Sequence, residues 1–179
     1  MTDQVLNQPQ LAPSWERFAP DGHWLQVDIE RQQVYVIRKA EFELCFPVST
    51  ALNGVGQEEG SGCTPLGWHA IRAKIGAGTP FNAVYRGRRW TGECYTDELG
   101  SAFPERDWIL GRILWLSGLE SGFNRGGDRD TMRRYIYFHG TPDSEPMGKP
   151  LSHGCIRMQM QDIVLLYEGI AAYTPVYIG

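Results

Sequence analysis

A thiol, two imidazoles and a guanidinium crowd into one segment near the C-terminal end of the chain, Tyr137-Phe138-His139-Gly140-Thr141 through Ser152-His153-Gly154-Cys155-Ile156-Arg157. Cys155 is the candidate nucleophile. A thiol attacks as its thiolate, and at an ordinary pKa of about 8.5 only roughly 3% is ionised at pH 7. A neighbouring imidazole is expected to change that: lowering the pKa by about two units would leave roughly three quarters ionised, part of the gain being offset by weaker intrinsic nucleophilicity. His139 ends an apolar strand pattern and Cys155 follows sixteen positions later, after a loop containing Gly and Pro, so strand end and loop can meet. Gly154 lets the backbone approach a substrate closely, and consecutive amide N–H groups at such a turn can hold the oxyanion formed on acyl attack.

Other chemistries of the same groups fit less well. His139, His153 and Cys155 are all zinc-ligand types, but no Cys-x-x-Cys pair or His-Glu-x-x-His helix accompanies them, so neither a metal nor another cofactor is expected. The stretch from Asn53 to Gly67 holds five glycines, yet no Gly-Lys-Ser/Thr or Gly-x-Gly-x-x-Gly spacing, which argues against a nucleotide site. A Gly-flanked polar loop is a poor place for an inert core thiol. Cys45, inside a strand pattern, reads instead as a small core hydrophobe. His23 and His69, beside Trp24 and Trp68, read as packed or surface residues, and Cys63 and Cys94 have no motif around them.

The elements that must position the segment are mostly short strands. Trp24–Ile29 and Gln33–Arg38 alternate in period two around Glu30–Gln32, a hairpin; Phe42–Val48 is a third strand. Gly67–Ile75, Phe81–Arg86, Ile109–Leu116, Arg134–His139 and Thr174–Ile178 are further strand candidates. Residues 53–67 form a long loop, and 121–130 reads as an inert surface loop. One helix is expected over Gln161–Ala172, where Ile163, Leu166 and Ile170 recur with Val164, Tyr167 and Ala171 at helical spacing and Asp162 complements the dipole of the first turn. The fold class is therefore mainly β, of the α+β kind. Residues 1–22 carry three prolines and no periodic pattern, an arm with no chemistry, leaving 23–179 as a single domain.

Length and composition agree: 179 residues with 42% apolar and 21% charged side chains suit one globular unit, and 21 glycines with 11 prolines favour many turns. A net charge of -4 offers no basic excess for nucleic acid. No apolar run approaches the length of a membrane span, so no membrane partner is expected. Met1–Trp15 lacks the basic and apolar blocks of an export signal, which points to the cytoplasm and to four reduced cysteines.

Ser152-His153-Gly154-Cys155-Ile156-Arg157-Met158, preceded by His139-Gly140-Thr141, resembles the signature of the YkuD-type L,D-transpeptidase family. The likeness extends over about residues 24–179, through the Val27–Ile37 hairpin, Pro47-Val48-Ser49-Thr50, Thr64-Pro65-Leu66-Gly67 and Thr174-Pro175-Val176. It implies the YkuD catalytic-domain fold, sandwich-like sheets with one main helix after the catalytic Cys. It further implies attack by Cys155 on the carbonyl of the third residue, expected to be diaminopimelate, of a peptidoglycan tetrapeptide or muropeptide, with D-Ala leaving and a thioester remaining. In that pattern His139 is the base and the Gly140 carbonyl orients its imidazole. His153 competes as base, but shaping the loop or touching substrate is its preferred role. Arg157 either holds a substrate carboxylate or makes a buried structural pair. Ser152 and Thr141 are second-rank sites that either donate to substrate or satisfy local backbone. Without a leader, the expected activity is hydrolysis by an L,D-carboxypeptidase in muropeptide recycling. The alternatives are a transpeptidase making 3-3 crosslinks or exchanging D-amino acids, and a non-catalytic peptidoglycan-binding domain.

Overall fold

The computed structural model describes residues 8–179. In chain order its elements are α1 (Trp15–Phe18), β1 (Trp24–Asp28), β2 (Gln33–Arg38), β3 (Glu41–Pro47), β4 (Gly67–Ile75), β5 (Ala83–Arg86), β6 (Arg89–Cys94), α2 (Asp97–Ala102), β7 (Ile109–Gly118), β8 (Tyr137–Thr141), β9 (Ile156–Gln159), α3 (Met160–Gly169) and β10 (Pro175–Ile178). The ten strands form one mixed sheet, ordered β3-β2-β1-β10-β4-β7-β5-β6, with β8 and β9 branching from β7. The fold is mainly β with few helices, as its composition implies. Beyond β3 the chain meets β9 again: Ser49 N–H donates to the Arg157 carbonyl and Arg157 N–H to the Ser49 carbonyl, both at 2.9 Å. That bridge curls the sheet back on itself.

Period-two patterning explains what the curl encloses. Leu25 and Val27 of β1, Val34 and Val36 of β2, Ile71 of β4, Leu114 and Leu116 of β7, Phe138 of β8 and Ile156 and Met158 of β9 point into one buried cluster. Helix α3 closes it with Ile163, Leu166 and Tyr167. The alternate residues of β1 are buried too, because residues before β1 cover the outer face. Trp15 stacks on Trp24 with centroids 5.3 Å apart, Phe18 stacks on Trp68 at 5.1 Å, and Trp68 Nε1 donates to the Pro13 carbonyl at 2.9 Å.

Several elements differ from the sequence pattern. β6 and α2 had no clear local signal, being polar and mostly exposed. β8 begins at Tyr137 rather than Arg134, because residues 132–135 turn, with Tyr135 at φ 57°. Cys45 is exposed rather than core: it shares strand parity with Glu41 and Glu43, and only Phe46 of β3 is buried. His69 is fully buried, its Nδ1–H donating to the Gly67 carbonyl and its Nε2 accepting from the Thr131 hydroxyl, each at 3.0 Å.

Candidate active site

The site is built on the parallel pairing of β8 with β9. Phe138 stands opposite Ile156 and His139 opposite Arg157. Since side chains alternate along each strand, Phe138, Ile156 and Met158 go to the core while Tyr137, His139, Cys155 and Arg157 share the opposite face. A one-residue slip would send Arg157 into the core, so burial of Ile156 and Met158 holds the register. His139 and Cys155 line the same cavity, of about 430 Å³, together with Asp107, Arg134, Tyr135, Ser152, His153 and Arg157.

Gly140 is required by packing. β7 bulges here at Gly111, φ 77°, and a Cβ on Gly140 would lie 2.5 Å from the Leu110 carbonyl oxygen. The Gly140 carbonyl lies 2.7 Å from His139 Nδ1. A carbonyl only accepts, so Nδ1 carries the proton and Nε2 keeps the lone pair that a base needs.

The loop before Cys155 is stitched down at several points. Ser152 N–H donates to the Thr50 carbonyl at 2.9 Å, and Leu52 N–H to the Ser152 carbonyl at 2.9 Å. Thr64, fully buried, donates its hydroxyl to the Gly154 carbonyl at 2.9 Å and accepts from Ala51 N–H at 3.0 Å. Gly154 has φ 131°, and a Cβ there would sit 3.2 Å from the Cys63 carbonyl oxygen, so only glycine is unstrained. Ser152 donates to the Cys155 carbonyl and accepts from Gly154 N–H at 3.2 Å. That assigns Ser152 to local backbone, and it engages the amide of Gly154 as well. Among the described residues the amides of His153 and Cys155 make no hydrogen bond, so these two N–H groups of the turn are free to donate.

The thiol is held by backbone: Tyr137 N–H donates to Cys155 Sγ, and Sγ–H to the Tyr135 carbonyl, both at 3.4 Å. Burial pushes the thiol up to about 12, the Tyr137 amide and the charges of Arg157 and Arg134 offsetting only part of it. Burial also pushes the His139 imidazole down, against the Gly140 hydrogen bond. Both directions run against the expectation of a thiol acidified at rest. Desolvation disfavours both charged forms, thiolate and imidazolium, and the thiol hydrogen is directed to the Tyr135 carbonyl.

The remaining site residues divide. His153 is exposed at the cavity edge. Arg157 pairs with Asp107 at 3.1 Å and also donates to the Leu151 carbonyl at 3.4 Å, its side chain only 11% exposed. Its partner Asp107 is half exposed, and Arg157 still lines the cavity. Thr141 is buried at the end of β8 and does not line the cavity. Sequence reasoning missed Asp107, Arg134, Tyr135 and Thr64. Asp107 lies fifty residues from its partner with no local motif, whereas Thr64 stood within the family likeness with no role attached to it. Among the described residues no three His, Cys, Asp or Glu side chains converge as a metal site would.

The model of the L,D-transpeptidase catalytic domain, YkuD, matches residues 22–178. The chain belongs to the YkuD family. Its YkuD domain is similar in fold to an L,D-transpeptidase from Mycobacterium smegmatis (17% identity, TM-score 0.52, covering 88% of this chain and 58% of that one). It is likewise similar to an Enterococcus faecium L,D-transpeptidase (14%, TM-score 0.55, 88% and 50%) and to L,D-transpeptidase 3 of Mycobacterium tuberculosis (15%, TM-score 0.53, 88% and 61%). The chain thus spans about half to three fifths of these structures. No curated protein matches it in sequence. At such identities the likenesses establish the YkuD fold alone.

Proposed function

We propose that this YkuD domain cleaves the bond between the third residue and D-Ala 4 of a peptidoglycan stem tetrapeptide through a thioester on Cys155. The observation that carries the reading is the β8/β9 register, which brings the Cys155 thiol and the His139 imidazole to one face and one cavity. In the first half-reaction His139 Nε2 takes the thiol proton as sulfur adds to the acyl carbonyl, and the amides of Cys155 and His153 receive the oxyanion. The same imidazole then returns the proton to the departing D-Ala amine. In the second half-reaction it deprotonates the acceptor, whose oxygen or nitrogen displaces sulfur.

Water is the acceptor in this reading, which makes the protein an L,D-carboxypeptidase of muropeptides. A cavity of about 430 Å³ suits the two residues around the scissile bond, and its open mouth admits water to the thioester. The cytoplasm is the compartment that goes with it. In support, all four cysteines are free, and Cys45 and Cys94 are exposed, which suits a reducing environment. Among the described residues no helix is long and apolar enough to cross a membrane.

A specific observation favours an amine acceptor as second reading. A second cavity of about 400 Å³ adjoins the first through Arg134, Tyr135, Ile136 and His153, which gives a second stem peptide room beside the thioester. Incubation with a purified disaccharide tetrapeptide, followed by mass with Cys155→Ala as control, separates the cases. Loss of one alanine is the result expected. A crosslinked dimer or an exchanged D-residue would establish transfer, and no Cys155-dependent change would overturn catalysis in favour of a binding domain.

A further inference from the structure

The chemistry above leaves one charged side chain of the cavity unused, Arg88. Strands β5 and β6 are joined by a two-residue turn in which Gly87 has φ 53° and Arg88 φ 65°. This is the geometry in which the second central position favours glycine, and an arginine there carries left-handed strain. The strained residue lines the same cavity as Cys155 and His139. Its guanidinium lies 4.5 Å from the Tyr135 ring centroid and 4.9 Å from that of Trp115, and Nη1 donates to the Tyr137 hydroxyl at 3.0 Å. Tyr135 is a second left-handed non-glycine residue, φ 57°, on the same cavity wall.

The three arginines of the cavity differ in what they donate to. Arg157 has Asp107, and Arg134 donates to the Gly56 and Cys63 carbonyls at 3.0 and 2.6 Å. Arg88 has a neutral phenol, and among the described residues no carboxylate lies within ion-pair distance of it. Two aromatic faces fix its plane while most of its five N–H donors stay unspent. A guanidinium held this way is preorganised for a carboxylate, which it can bind by two parallel hydrogen bonds.

We infer that Arg88 is a specificity residue, binding a carboxylate of the substrate peptide while Cys155 attacks. This rests on the stem-peptide reading above. The carboxylate is either the terminal group of the departing D-residue or one borne on a side chain of the stem, and the test separates them.

Cys155→Ala protein, which binds without turnover, is titrated calorimetrically with the free-acid tetrapeptide and with peptides amidated at one carboxylate at a time. Arg88→Met should weaken binding of the free acid roughly ten- to hundredfold, and the one amide whose affinity no longer depends on Arg88 identifies the carboxylate. Arg88→Gly relieves the strained φ and should fold at least as stably, yet lose the same affinity; Arg88→Lys should recover part of it. Equal weakening of the acid and every amide, no weakening by Arg88→Met, or no binding of the free acid at all would overturn the inference. Turnover by the unmodified protein is scored separately: Arg88-dependent binding without Cys155-dependent product would fail the catalytic reading and leave this one standing.

Discussion

Iodoacetamide should find Cys155 a slow target at rest. With the thiol pushed up to about 12, only about one molecule in 30,000 carries the thiolate at pH 7.5, against roughly a tenth for an accessible cysteine at its ordinary pKa. The deficit in thiolate is about 3,000-fold; a more basic sulfur is intrinsically more reactive by roughly 25- to 50-fold over that interval, so the net rate should be on the order of a hundredfold lower. The rate should climb about tenfold per pH unit up to pH 10, without a plateau. Peptide mapping by mass spectrometry reads each site, with exposed Cys94 as the internal reference. His139→Ala should leave this alkylation nearly unchanged, because a neutral imidazole does not stabilise the resting thiolate, whereas peptide turnover should fall by roughly 10²- to 10⁴-fold. Turnover itself needs neutral His139, whose pKa burial lowers, so activity should persist at pH 6.5 and disappear only as pH falls further. Labelling of Cys155 ahead of Cys94, with a rate flat between pH 6 and 8, would refute the reasoning and establish a thiolate–imidazolium pair at rest.

Two further outcomes follow from buried groups. His69 is pushed down to about 4 by burial, so between that value and its ordinary 6.5 the unfolded chain binds more protons; its contribution to stability is full above 6.5 and falls by about 3 kcal/mol as pH drops to 4. Urea unfolding at pH 7 and pH 4 should show that part of the acid loss missing in His69→Gln. Thr64→Val strands the Gly154 carbonyl and the Ala51 amide without partners, at a cost of about 2–4 kcal/mol, while Thr64→Ser should restore both stability and kcat. Chemical denaturation with parallel kinetics checks it, and a valine variant as stable and active as the parent would remove Thr64 from the positioning of Cys155.

The hairpin of β1 and β2, the strand β4 and the helix after the nucleophile were legible because each carries its own periodicity: Leu25 and Val27 alternate with Trp24 and Gln26, and Ile163, Leu166 and Tyr167 recur at helical spacing. β9 was hidden inside the motif that drew the eye to Cys155, and β6 and α2 bury too little apolar surface to leave a pattern. Cys45 shows the converse, an apolar residue type inside a strand whose parity turns it to solvent.

For the candidate site, local order along the chain was enough to single out His139, Gly154 and Cys155, since a strand end, a glycine turn and a thiol are properties of neighbouring residues. The tertiary structure decided the rest. The pairing of Arg157 with Asp107, the tether from Thr64 to Gly154 and the delivery of Arg88 from the β5–β6 turn each join segments dozens of residues apart. The protonation of the thiol is of the same kind: desolvation sums over every element packed around the sulfur, and no stretch of sequence contains that sum.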